Sequence, residues 1–223
     1  MSQLPTKISD YAITSGPTNS DDKALATIVG AGFMPYITLA SGSSNICKEG
    51  KVPVGVFALT KGKEPISLGK SFIGWFIQWR PRAMRLDKAA GNHSYYVIDN
   101  PEFQKIVATA NSGVKLSGCL YGPEILVWLF EQNMFATMFW SNPTMRNEYA
   151  NLQPMKGEVV TFSTELIVTP EYKWHGPKVA LCQSPPANMP PLDEYHAVLD
   201  KFNNPPITEI ERIEEPNNSE RPQ

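Results

Sequence analysis

Apolar residues recur along most of this chain with a period of two, the spacing that carries alternate side chains of a strand to opposite faces. Residues 33–39, 52–60, 66–68 and 70–80 follow one another with turn residues between them. Together they predict an antiparallel meander with lysines at its turns, Lys61-Gly62-Lys63 forming a compact basic hairpin loop. A further strand is predicted at 95–98. Residues 124–131 and 135–140 read as an apolar hairpin, and 157–168 and 173–182 as the last strands. Helical spacing interrupts this pattern twice. Phe103, Ile106, Val107 and Ala110 share one face, behind an Asn100 cap and Pro101 at the first helical position, and a second short helix is placed at 144–152 after Asn142-Pro143. The count is seven or eight strands with two helices.

The two ends read differently. Residues 1–30, rich in Ser, Thr, Asp and Gly, hold one short apolar patch at 24–29 and are expected to form an arm. After residue 184, Pro185, Pro186, Pro190 and Pro191 predict an extended linker. Leu192, Tyr195, Leu199 and Phe202 then fit one face of a short third helix, and the acidic end beyond is expected to be disordered. The chain thus divides into an arm (1–30), a β-rich barrel domain (31–183) and a linker with helix and tail (184–223).

The densest chemistry lies in KSFIGWFIQWRPRAMR, residues 70–85, where four aromatic rings run into a basic cluster with no acid among them. Strict alternation puts Ser71, Ile73, Trp75, Ile77 and Trp79 on one side, nearly all apolar, which reads as the core face. The other side carries Lys70, Phe72, Gly74, Phe76, Gln78 and Arg80, where rings alternate with cations around a glycine that a flat ligand can approach.

Charge reinforces that reading. The 223 residues carry a formal net charge of -2. Residues 193–223 hold eight acids against three bases, a net of -5, which leaves +3 for the rest of the chain; residues 48–88 alone hold nine bases against three acids, a net of +6. A basic body beside an acidic tail points to a polyanionic partner. With 42% hydrophobic and 19% charged residues the composition is that of an ordinary globular protein. Cys47, Cys119 and Cys182, odd in number and far apart, suggest a reducing compartment, and no stretch reads as a signal peptide or membrane span. The expected location is therefore the cytoplasm, of a host cell if the chain is phage-encoded, with no membrane partner.

Catalytic patterns find no match. Gly69-Lys70-Ser71 ends like a phosphate-binding loop, but Glu64 stands where that motif needs its first glycine. His93, His175 and His196 stand apart from one another and from the cysteines, so no metal or other cofactor is expected, and there is no G-x-S-x-G serine elbow. Glu124, Glu131 and Glu165 read as solvent-facing or edge-strand acids. The chain is expected not to be an enzyme.

Single strands are held by cations that follow the phosphates and rings that stack on the bases. Lys61, Lys63, Lys70, Arg80, Arg82 and Arg85 are the candidate cations; Phe72 and Phe76 are the candidate rings, joined by Tyr95 and Tyr96 on the next strand. Trp174, beside Lys173 and His175, is a weaker candidate at a loop rim. In this layout of lysine-tipped hairpin, aromatic-basic strand and acidic end, the chain resembles phage-encoded single-stranded-DNA-binding proteins with an OB-like barrel. The resemblance implies a mainly β, antiparallel OB-like barrel with two or three short helices. It also implies sequence-tolerant binding of single-stranded DNA in replication, recombination or repair. The acidic tail would occupy the groove or recruit replication and recombination proteins, and homo-oligomers are compatible with it. The rival class is a viral structural or decoration protein working through subunit contacts, its apolar hairpin at 124–140 buried between copies. An enzyme acting on nucleic acid ranks third.

Overall fold

The computed structural model describes residues 34–61, 64–87, 92–112, 118–204 and 208–212. The expected arm at 1–30, Lys63 and the end of the tail at 213–223 lie outside the described residues. In chain order the elements are β1 (Tyr36–Leu39), α1 (Asn45–Lys48), β2 (Phe57–Lys61), β3 (Glu64–Gly69), β4 (Ser71–Asp87), β5 (Asn92–Val97), α2 (Pro101–Asn111), β6 (Cys119–Leu129), β7 (Met134–Phe139), α3 (Pro143–Leu152), β8 (Val159–Val168), β9 (Lys173–Leu181), α4 (Leu192–Asn203) and β10 (Thr208–Arg212). The fold is mainly β, a ten-stranded sheet with a few helices. Its main path runs β10-β5-β4-β6-β7-β1-β2-β3, with β8 and β9 branching from the start of β4.

The 17-residue β4 organises this sheet. It pairs along most of its length with β6, while its other side pairs first with β8, through Ser71 to Trp75, and then with β5, through Arg82 to Asp87. The expected meander holds for β1, β2 and β3, which pair antiparallel in sequence. β4 leaves that series to become the centre of the sheet, and β1 joins β7 in parallel. The sheet is therefore mixed and stays open. The expected antiparallel OB-like barrel is not formed: β3 and β10 end the main path and β9 ends the branch.

Both faces of the centre are covered, which explains why β6 is apolar at nearly every position. Ile125, Val127 and Leu129 face a core shared with Ile37, Leu59, Phe72, Phe76, Phe162 and Leu152. Leu126 and Trp128 point the other way, into a second core with Trp75, Ile77 and the α4 residues Tyr195, Val198, Leu199 and Phe202. The proline-bearing segment before α4 is itself fixed, since Asn188 takes the Trp128 indole N–H on its carbonyl at 3.1 Å and donates to the Phe130 carbonyl at 2.8 Å.

Helix starts follow the sequence pattern. The Asn100 side chain accepts the Glu102 N–H at 2.9 Å ahead of Pro101, and that of Asn142 accepts the Met145 N–H at 2.9 Å ahead of Pro143. At the branch edge the Val179 N–H donates to Glu148 Oε1 at 2.9 Å and Pro177 has no N–H, so α3 and a proline blunt β9 against further pairing.

Two other expectations change. The chain after α4, expected to be disordered, includes β10, paired antiparallel with β5 from Thr208 to Arg212. A one-residue bulge also breaks the alternation in β4: Phe76 faces Val127 and Gln78 faces Leu126, leaving Ile77 unmatched. The Phe76 backbone turns outward there, its N–H donating to Glu158 at 2.9 Å and its carbonyl accepting from Gly157 at 2.7 Å. Beyond the bulge the faces exchange, so Trp79 packs with the first core while Arg80 lies against α4.

Candidate nucleic-acid interface

Of the ten residues singled out from the sequence, the nine that are described do not form one surface. Phe72 stacks on Phe162, ring centres 4.9 Å apart, and meets Phe57 edge-on; Phe76 is 0% exposed in the same core. These two rings are core residues and not stacking platforms. Gly74 between them serves packing as well, because a β-carbon there would meet the Trp128 carbonyl at 3.3 Å and the Phe72 and Phe162 rings at 3.5 Å.

Arg80 and Arg82 both meet the Glu124 carboxylate. Glu124 stands on β6 opposite Arg80, its side chain 4% exposed, and takes Arg80 Nε on Oε2 at 2.5 Å and Arg82 Nη1 on Oε1. Arg80 also donates through Nη1 to the Phe202 carbonyl, in the last turn of α4 where unpaired carbonyls favour a cation, and its guanidinium lies 4.5 Å from the Phe202 ring centre. Arg82 lies 4.0 Å over the Tyr95 ring, which in turn sits edge-on to Phe139. This network holds helix to sheet. The sequence pattern gave Glu124 a solvent-facing or edge-strand role, whereas it is buried on a central strand. The signal that could have found it is a lone acid opening an otherwise apolar strand, which has to be paired if that strand is buried.

The remaining candidates are spread over β2, the two ends of β4, and β5. Tyr96 packs with the cluster of Phe103 and Ile106 under α2. Arg85 is exposed and 3.8 Å from Glu102. Lys61 closes β2, paired with Glu64. Lys70 is exposed at the other end of β4 from Arg85, a separation of up to about 50 Å along an extended strand. One patch cannot contain both.

Rings and cations do meet in the open on the β8–β9 hairpin. Pairing of β8 with β4 ends at Ser71 and Ser163, and one more bond joins the Thr164 N–H to the Lys70 carbonyl at 3.0 Å. From Glu165 to Val168, β8 pairs with β9 alone, so the hairpin rises about 13 Å beyond β4. Its turn is closed by the Thr169 N–H on the Tyr172 carbonyl at 2.8 Å and the Tyr172 N–H on Thr169 Oγ1 at 3.0 Å. Tyr172 is 68% exposed, Lys173 is exposed, and Trp174 is 37% exposed with its indole N–H on Thr144 Oγ1 at 3.3 Å. Lower on the hairpin, the hydrogen bond that Lys178 donates to Glu165 and the charge of Glu148 hold Lys178 above its usual range. That lysine is engaged with acids, whereas Lys70 and Lys173 are exposed near the hairpin's base and tip.

Other chemistries leave little trace. Among the described residues no three His, Cys, Asp or Glu side chains stand close enough to share a metal ion. Among the same residues no helix is long and apolar enough to cross a membrane. Compared with known proteins, the chain matches no protein-family model, no curated protein sequence and no solved structure.

Proposed function

We propose that this protein binds single-stranded DNA without sequence preference, and that the β8–β9 hairpin makes the contact in place of the middle of β4. The observation that carries the reading is the exposed Tyr172-Lys173-Trp174 run on a hairpin that rises from the strand end holding Lys70. Two rings offer stacking of about 1–3 kcal/mol per base, and two cations offer phosphate contacts. The sheet then acts as the OB-like barrel of the resembled proteins would, as a rigid support for a ring-bearing loop. The role is shielding of single strands in replication, recombination or repair.

Fluorescence anisotropy with a labelled oligonucleotide over a salt series tests it. Two phosphate contacts give a log-log slope of about -1.4. Tyr172→Ala and Trp174→Ala should each weaken binding about 5- to 150-fold, while Arg85→Ala at the far end of β4 leaves it unchanged. Glu171→Gln, which removes the acid beside the rings, should tighten it. Affinity that ignores salt, or hairpin variants that bind like the wild type, refute the proposal.

A second reading, a subunit contact in a virus particle, is favoured by Leu166 and Val168, which are 55% and 58% exposed on the same hairpin. Sedimentation of the wild type beside Leu166→Ser separates the two: a concentration-dependent assembly lost in the variant supports the contact.

A further inference from the structure

We infer that His175 is a positioning residue for the hairpin, its imidazole seated on Gly55 and thereby setting where Tyr172, Lys173 and Trp174 are presented. Gly55 lies in the turn before β2 with φ +81°, a conformation that favours glycine. A β-carbon at that position would fall 2.5 Å from the His175 ring, so the ring occupies the space that glycine leaves. The seat itself is rigid. Gly55 donates its N–H to the Ala40 carbonyl at 2.8 Å, and its own carbonyl accepts the Thr164 hydroxyl at 2.8 Å. On the opposite face of the hairpin, Trp174 bonds Thr144 at the start of α3, and a β-carbon at Gly176 would meet Thr144 Cγ2 at 2.9 Å. The part of the hairpin that rises beyond β4 is thus held from both faces, by His175 on Gly55 and by the Trp174 indole N–H and Gly176 on Thr144, while the Trp174 ring stays partly exposed beside the turn.

This inference rests on the hairpin being the ligand contact, and the test keeps the two apart. Hydrogen exchange of the 165–168 and 173–176 amides reports the hairpin without any ligand; oligonucleotide titration reports binding. His175→Ala should lower hairpin protection and, by misplacing at least one stacking ring, weaken binding about 5- to 150-fold. His175→Phe, which keeps a flat ring on Gly55, should restore both. Gly55→Ala, which displaces the ring, should behave like His175→Ala. If the wild type binds and His175→Ala retains either its protection or its affinity, the positioning role is refuted while the binding proposal stands. If the wild type binds no oligonucleotide, the binding proposal falls and the positioning role falls with it.

Discussion

Glu124→Gln isolates the charge of one buried carboxylate at nearly constant shape. In the wild type that carboxylate serves two guanidinium groups whose side chains are 15% and 9% exposed. Glutamine can accept through its carbonyl oxygen, but it cannot neutralise either arginine, and its amide turns a donor toward a donor. Breaking a buried pair costs about 3–5 kcal/mol, chiefly because the partner charge stays buried and uncompensated. The ring contacts of Arg80 with Phe202 and Arg82 with Tyr95, and the Phe202 carbonyl, survive the substitution and hold the expected loss to the lower half of that range, about 3–4 kcal/mol. For a domain of this size that amounts to a fall in Tm of about 6–16 °C. Urea denaturation should show a lower midpoint at unchanged slope, and hydrogen exchange should place the first loss of protection in α4, because Arg80 joins Glu124 to the end of that helix. Glu165→Gln, at a half-exposed acid 3.2 Å from Lys178, is the control and should cost under about 1 kcal/mol. A loss below about 1 kcal/mol for Glu124→Gln would refute the argument that this carboxylate compensates both arginines.

The other predictions bear on the cores and on pH. Phe76→Ala should cost about 3–5 kcal/mol by chemical denaturation and leave oligonucleotide affinity of the folded fraction intact; a stable protein that has lost binding would return Phe76 to the ligand face. Tyr149→Phe should be neutral or stabilising by about 1 kcal/mol in a thermal melt, because among the described residues the buried hydroxyl has no hydrogen-bond partner and the Trp79 ring contact stays. Burial raises the Glu194 carboxyl above its usual range, so its contribution to stability is complete below the ordinary carboxylate pKa and is lost as pH rises through the raised value. Urea midpoints from about pH 4 to about pH 7 should therefore fall less steeply in Glu194→Gln than in the wild type.

Local chemistry carried most of the fold into the sequence. The caps at Asn100 and Asn142, the α4 face of Leu192, Tyr195, Leu199 and Phe202, and the β6–β7 hairpin are each decided by residues within about two turns of one another, which a pattern can display. Strand order is decided by partners far apart in sequence, so the position of β4 at the centre and the parallel β1–β7 pair were not legible. The site was misread for one local reason and one distant one. Alternation assigns faces only while the register holds, and the extra residue at Ile77 reverses the assignment for everything after it, moving Trp79 into the first core and Arg80 and Arg82 onto the side of α4. Before the bulge the assignment into two faces was right, but its meaning was not, because α4 covers one face while the curled sheet and α3 cover the other. An alternating strand shows that it has two sides and is silent about what lies on each. The aromatic residues of β4 were dense because both sides are buried. By the same argument, a search for a ligand surface in this fold belongs where a strand pair runs on past its neighbour in the sheet, as the outer half of the β8–β9 hairpin runs past β4.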